Sequence, residues 1–174
     1  MQAVIEKARK IKLLVLDVDG VLTDGRLLFD FFGNEYKFFH ARDGHGIKLL
    51  KRTGVDIAII SGRKSKSVAL RMKMLGIQYV YQGHENKRHA FEELLGKTGH
   101  TPEQTAYVGD DLLDLPLMVR AGLAVAVNDA HPDVKTRAHW STTLPGGRGA
   151  VREVCDLIMQ AQGNYDAILN SYLQ

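Results

Sequence analysis

The chain carries one cysteine, one tryptophan and four prolines in 174 residues. A lone thiol closes no internal disulfide, so the fold must rest on a packed core. That thiol, Cys155, falls in the apolar pattern Val154-Cys155-Asp156-Leu157-Ile158 and reads as a core filler. No apolar run approaches the length needed to cross a bilayer, so no membrane partner is expected. Met1 to Lys12 is charged and lacks the uninterrupted apolar segment of a signal peptide, which makes a cytoplasmic location the expectation. There is no arginine–lysine tract and no interleaving of basic with aromatic residues, which argues against nucleic acid. The formal charge of +3 suits anionic substrates but is too small to decide anything.

What is present is an ordinary globular mixture, 45% apolar and 25% charged, at a length that suits a single domain over 1–174. Short aliphatic runs alternate with amphipathic segments. The runs at 11–17, 55–60, 77–81, 105–108 and 123–127 read as buried strands, and 139–143 as a short edge strand. Helices are expected near 43–52, 65–75, 86–97, 112–121 and 150–162, with shorter ones at 3–9 and 131–137 and in the tail at 164–172. Asp43 is the expected cap of the helix that runs to Arg52. Strands alternating with helices of this length predict βαβ units, hence an α/β fold with a doubly wound, mostly parallel sheet.

One segment breaks the alternation. Between Gly25 and His40, Gly33-Asn34 suits a hairpin turn between two aromatic-rich arms. Six of the chain's 13 aromatic residues lie between Phe29 and Phe39. Two strands alone bury little, so this insert must cover something: its own core, a site, or another subunit.

The chemistry is organised around Asp17-Val18-Asp19-Gly20-Val21, which closes the first aliphatic run. The C-terminal edge of a parallel sheet opens onto the ligand crevice. Two carboxylates two positions apart would share one face if the strand continued, and like charges share a site only with a cation or a proton between them. Similar edges follow: Ser61-Gly62-Arg63 after the second strand, Lys87 opening a helix, and Gly109-Asp110-Asp111 after the fourth strand. Taken singly, each suits a turn, a helix cap or a solvated surface. Gathered at one edge, Asp17 and Asp110 offer hard oxygens to Mg²⁺, while Ser61 and Lys87 offer donors to a phosphoryl group. Arg63 and Arg148 suit a planar carboxylate. Gly146-Gly147-Arg148-Gly149 reads either as an anion-binding helix start or as a flexible connector.

These ordered motifs, with Asp114, closely resemble those of the haloacid dehalogenase superfamily of phosphatases. Asp17 to Asp24, Arg42-Asp43-Gly44, Ser61 to Arg63, Tyr107 to Asp111 and Gly146 to Val154 resemble its members that act on 3-deoxy-D-manno-octulosonate 8-phosphate in lipopolysaccharide biosynthesis. The likeness spans about 10 to 163. It implies that Asp17 becomes an aspartyl phosphate, that Asp19 exchanges protons with the leaving group and with water, and that Ser61 and Lys87 hold the phosphoryl oxygens. It also implies Mg²⁺ on Asp17, Asp110 and the Asp19 carbonyl, with Asp111 and Asp114 supporting Lys87 or metal-bound water. No large cap domain is implied. The hairpin at 25–40 would instead join copies into a homotetramer that completes each site from a neighbour. Two alternatives stay open: a phosphatase for another nonulosonate phosphate, and a receiver-type phosphoacceptor domain. The receiver fits less well, because its acidic pair and its phosphorylated Asp are ordered differently along the chain.

Overall fold

The computed structural model describes residues 1–84 and 86–173. Helix α1 (Gln2–Ala8) leads into β1 (Leu13–Leu16), whose four residues are all buried. Burial on both faces is the place for an unbroken aliphatic run. The insert forms β2 (Leu28–Phe29) and β3 (Glu35–Tyr36), paired antiparallel. Then come α2 (Ala41–Arg52), β4 (Asp56–Ser61), α3 (Lys66–Leu75) and β5 (Tyr79–Gln82). The second half holds α4 (Lys87–Thr98), β6 (Thr105–Gly109), α5 (Leu115–Met118) and β7 (Leu123–Ala126). It closes with α6 (Pro132–Lys135), β8 (Trp140–Ser141), α7 (Ala150–Ala161) and α8 (Tyr165–Asn170).

Six strands make one sheet in the order β5-β4-β1-β6-β7-β8, and every pair in it is parallel. From β1 the chain crosses toward β4. From β6 it crosses the other way, toward β7. The winding therefore reverses between β1 and β6, where a doubly wound sheet opens its crevice. Right-handed crossovers put α2 and α3 on one face and α4 and α5 on the other. Packing agrees: α2 lies against α7 and touches α3, while α4 lies against α5. Among the described residues no helix is long and apolar enough to cross a membrane.

Three expectations need correction. Asp43 does not cap α2, which begins at Ala41 with His40 as its extended N-cap. The Asp43 carboxylate reaches instead to the start of α7, accepting N–H bonds from Gly149 (3.3 Å) and Arg152 (2.8 Å). Burial raises this carboxyl above its ordinary range, against the pull of those backbone donors. Asp43 thus caps a helix more than a hundred residues away, which spacing along the chain does not reveal.

The helix expected over 112–121 is a 3₁₀ turn at Leu112–Asp114 followed by the single turn of α5. The Asp111 carboxylate accepts the Leu112 N–H at 2.7 Å and tightens that first turn. At the far end the Gly122 N–H is drawn off to the Pro102 carbonyl at 2.8 Å.

The glycines at 146–147 are not a loose connector, and the anions at this helix start are the chain's own: Asp129 accepts the Gly146 N–H at 2.9 Å, as Asp43 accepts those of Gly149 and Arg152. A Cβ at Gly146 would sit 1.7 Å from the Gly20 carbonyl oxygen, and the Gly147 N–H donates to the Val21 carbonyl at 2.9 Å. They let the chain before α7 lie flat on the loop that follows β1.

The hairpin is where expected. Asp30 organises its turn, accepting from the Phe32 and Asn34 N–H groups at 2.9 and 2.8 Å. Its aromatic tips are bare in the single chain, with Phe31 97% and Phe32 86% exposed. The tail helix α8 packs against α7.

Candidate active site

The strand ends at Leu16, so Asp17 and Asp19 do not share a strand face, yet both line one cavity. The Asp17 N–H donates to the Val108 carbonyl at 3.1 Å, which fixes the first carboxylate between β1 and β6. The loop then turns at Gly20, with φ at +91°. A Cβ there would fall 2.0 Å from Asp110 Oδ2, so the Asp110 carboxylate fills the space that any other residue would need. The Thr23 hydroxyl closes the loop by accepting the N–H groups of Gly20 (3.4 Å) and Gly25 (3.2 Å).

Lys87, at the first position of α4, sends its ammonium into this crevice. It donates to Asp17 Oδ1 and Asp114 Oδ1, each at 2.7 Å. Burial alone would lower its pKa, but the two carboxylates outweigh burial and keep it charged. Tyr107 also donates to Asp114 Oδ1 at 2.7 Å, and the N–H groups of Asp110 and Asp111 donate to Asp114 Oδ2 at 2.9 and 3.2 Å. Both Asp114 oxygens are therefore committed to the protein. Asp111 is different: its side chain caps the following turn and does not reach Lys87.

Oxygens of Asp17, Asp110 and Asp114 all lie within 4.8 Å of one another. With Asp114 already saturated, Asp17 and Asp110 are the pair left to hold a cation. Burial, then Asp114, pushes Asp17 up to about 7, and Lys87 restrains it. Asp110 is pushed up to about 8 by burial, then by Asp114 and Asp17. A buried and a half-buried carboxyl that resist ionising together are stabilised by a hard divalent ion, and the all-oxygen donor set suits Mg²⁺.

The cavity, about 160 Å³, gathers Asp17, Asp19, Ser61, Arg63, Lys87 and Asp110. Ser61 closes β4 and is buried there. Arg148 is not among the lining residues; it lies exposed beside Asp24 at 3.6 Å. A larger hollow of about 550 Å³ opens at the opposite end of the strands, against Lys12, Gly54 and Gln104, remote from all these groups.

Glu35, Lys37 and Tyr107 escape a reading by motif. Lys37 comes from the aromatic hairpin, yet its side chain is only 1% exposed and its ammonium pairs with Asp19 and, at 2.7 Å, with Glu35. Arg63 joins Glu35 from the other side at 2.6 Å. There was a signal: Glu35 and Lys37 are spaced to face one way along an arm that otherwise alternates with aromatics. Tyr107 is a lone hydroxyl inside an apolar strand, which again asks for a partner.

Paired carboxylates, a buried lysine and a serine at the switch point of a doubly wound sheet are the frame of the haloacid dehalogenase-like hydrolases, and that family's model matches residues 76–145. The 3-deoxy-D-manno-octulosonate 8-phosphate phosphatase KdsC of Escherichia coli strain K12 is 53% identical over 163 residues, covering 94% of this chain and 87% of the relative. A crystal structure of 3-deoxy-D-manno-octulosonate 8-phosphate phosphatase from Yersinia pestis superposes with a TM-score of 0.93 at 49% identity, over 94% of this chain and 89% of that one. A second, from Moraxella catarrhalis in complex with a magnesium ion, a phosphate ion and KDO, gives 0.97 at 41% identity over 99% of each chain. The chain belongs to the 3-deoxy-D-manno-octulosonate 8-phosphate phosphatase family within the haloacid dehalogenase-like hydrolases.

Proposed function

We propose that this chain, working as one unit over 1–174 in the cytoplasm, is a Mg²⁺-dependent phosphoric monoester hydrolase. Its substrate is 3-deoxy-D-manno-octulosonate 8-phosphate, and its products are the free sugar acid, a precursor for lipopolysaccharide, and phosphate. The observation that carries this reading is the buried Asp17 paired with the half-buried Asp110 beside Lys87, in a chain 53% identical to a phosphatase of that sugar phosphate.

Asp17 is the nucleophile. Its carboxylate oxygen attacks phosphorus, the bond from phosphorus to the sugar oxygen breaks, and that oxygen takes a proton from Asp19. A water then attacks the aspartyl phosphate while Asp19 accepts the water's proton, and Asp17 is freed with release of phosphate. Lys87 and Ser61 hold the phosphoryl oxygens. Asp17, Asp110 and the Asp19 carbonyl are the metal ligands, and bound Mg²⁺ supplies positive charge against the crowded oxygens. Asp114 keeps Lys87 aimed, and Arg63 lies at the cavity to meet the sugar carboxylate. Arg148 reaches that carboxylate only by leaving Asp24.

The test is a panel of acidic sugar phosphates assayed with Mg²⁺ and with chelator. Turnover is expected to favour the octulosonate ester and to vanish on chelation. A preference for another nonulosonate phosphate would overturn the substrate. Stability provides a second readout. Asp17 and Asp110 sit at about 7 and about 8, above their ordinary value of 3.8, so over pH 4–8 the folded state binds more protons than the unfolded. These two groups therefore make the metal-free protein less stable as pH rises through that window. Mg²⁺, binding only the folded form, is expected to raise the melting temperature most at the alkaline end. A shift that is equal at pH 5 and pH 8 would remove the metal from this pair.

The active form is a homotetramer whose sites are completed by a neighbouring subunit. What supports this is the bare aromatic face of the hairpin, with Phe31, Phe32 and Phe38 all exposed. Phe31→Asp is expected to lower the mass in light scattering and to impair sugar phosphate turnover more than turnover of a small generic ester. A wild-type monomer with full, selective activity would refute it.

A further inference from the structure

Asp19 lies beyond the end of β1, on the turn at Gly20, so no strand pairing fixes its side chain. One of its oxygens, Oδ1, is held by Lys37. The other, Oδ2, is buried without a hydrogen-bond partner among the described residues, with Arg63 Nε 3.8 Å away. A buried, unpaired carboxylate oxygen is costly and calls for a role. So does Lys37, because a lysine is rarely buried unless charges compensate it on more than one side. Here Asp19 and Glu35 flank it, and Arg63 pins Glu35 in turn. The row Asp19, Lys37, Glu35, Arg63 alternates in sign and ties the insert to the site of its own chain.

We infer that Lys37 is a positioning residue: its ammonium fixes Oδ1 of Asp19 so that Oδ2 faces the departing oxygen of the substrate. Glu35 holds Lys37 in that pose. The inference rests on the phosphatase reading and assigns the base of the hairpin a task in the chemistry, separate from any contact its aromatic tips make with other subunits. It also accounts for the burial of the Lys37 side chain between the exposed Tyr36 and Phe38.

Leaving groups separate this role from a merely structural one. A primary alkoxide needs a proton as it leaves, whereas 4-nitrophenolate departs without one. For Lys37→Met, kcat/KM, which reports steps through leaving-group departure, is expected to fall on the order of 100-fold on the sugar phosphate, the lower end of what a positioned acid contributes. On 4-nitrophenyl phosphate it is expected to fall less than about threefold, because proton transfer contributes little there. Lys37→Arg, which keeps the cation, is expected to restore most of the loss. Glu35→Gln is expected to show the same selectivity at smaller size and serves if Lys37→Met does not fold. In a crystal structure of Lys37→Met, Asp19 is expected to leave its present side-chain conformation. Equal losses on the two esters, or an unmoved Asp19 with no loss on either, would overturn the inference. The alkyl arm works with any primary alkyl phosphate the wild type accepts. A wrong sugar would therefore show in the wild type, and a wrong role for Lys37 only in the ratio.

Discussion

Asp17→Asn is expected to give a folded protein with turnover reduced at least about 10⁴-fold, the scale seen when a nucleophile is removed from a concerted site. Two losses coincide. An amide oxygen does not form the acyl phosphate, and the cation loses one of its two free carboxylates. The fold should not suffer. Asp17 is pushed up to about 7 by burial and by Asp114, so its ionised form is an unfavourable tenant of the metal-free site. Lys87 still keeps Asp114 at 2.7 Å after the change. In chelator near pH 8 the variant should melt at or above the wild-type temperature while remaining inactive with Mg²⁺. Activity within tenfold of wild type would remove Asp17 from its role.

Lys87→Met is expected to fail in the opposite manner, losing stability as well as activity. Lys87 is buried between Asp17 and Asp114. Removing it strands two carboxylates, and breaking a buried pair in this way costs about 3–5 kcal/mol. The sign with pH follows from Lys87's own influence, which lowers Asp17. Without the ammonium the Asp17 carboxyl titrates higher still. The deficit should be largest above neutrality and shrink as acid neutralises that carboxylate. Melting curves of wild type and variant across pH 5–9, in chelator, measure it. Parallel curves would mean that Lys87 is not what balances these charges. Adding Asp114→Asn should recover part of the stability and none of the turnover, since the donor to the phosphoryl group is still missing.

The parts of the site visible in the sequence are those set by local rules. Asp17, Ser61, Lys87 and Asp110 stand where an aliphatic run stops or an amphipathic one begins, and a parallel sheet brings its C-terminal ends together whatever lies between. What stayed hidden depends on partners distant in the chain. Asp43 looks like a cap for the helix it sits in, and only the packing of α2 on α7 shows which helix it serves. Gly146 reads as slack until the Gly20 carbonyl is found where its side chain would be. For Lys37 the local alternation shows only that it faces the same way as Glu35; that the hairpin folds this side back onto Asp19 depends on packing distant in the chain. The division of labour within the acidic set was likewise illegible: Asp111 and Asp114 look alike in sequence, and hydrogen bonding alone separates a turn cap from the group that steers Lys87.

The crossing of the sheet at β1 has a consequence for how the protein comes into being. Strand β1 precedes both of its neighbours, β4 and β6, along the chain, and Lys87 lies 70 residues beyond Asp17. The loop after β1 is seated only when Gly146 and Gly147 settle on it, and α7 is anchored only when Arg152 meets Asp43, 109 residues apart. Contacts of such long span form late in folding. The crevice around Asp17 is therefore not built strand by strand; it is completed almost at once, when these long-range contacts close.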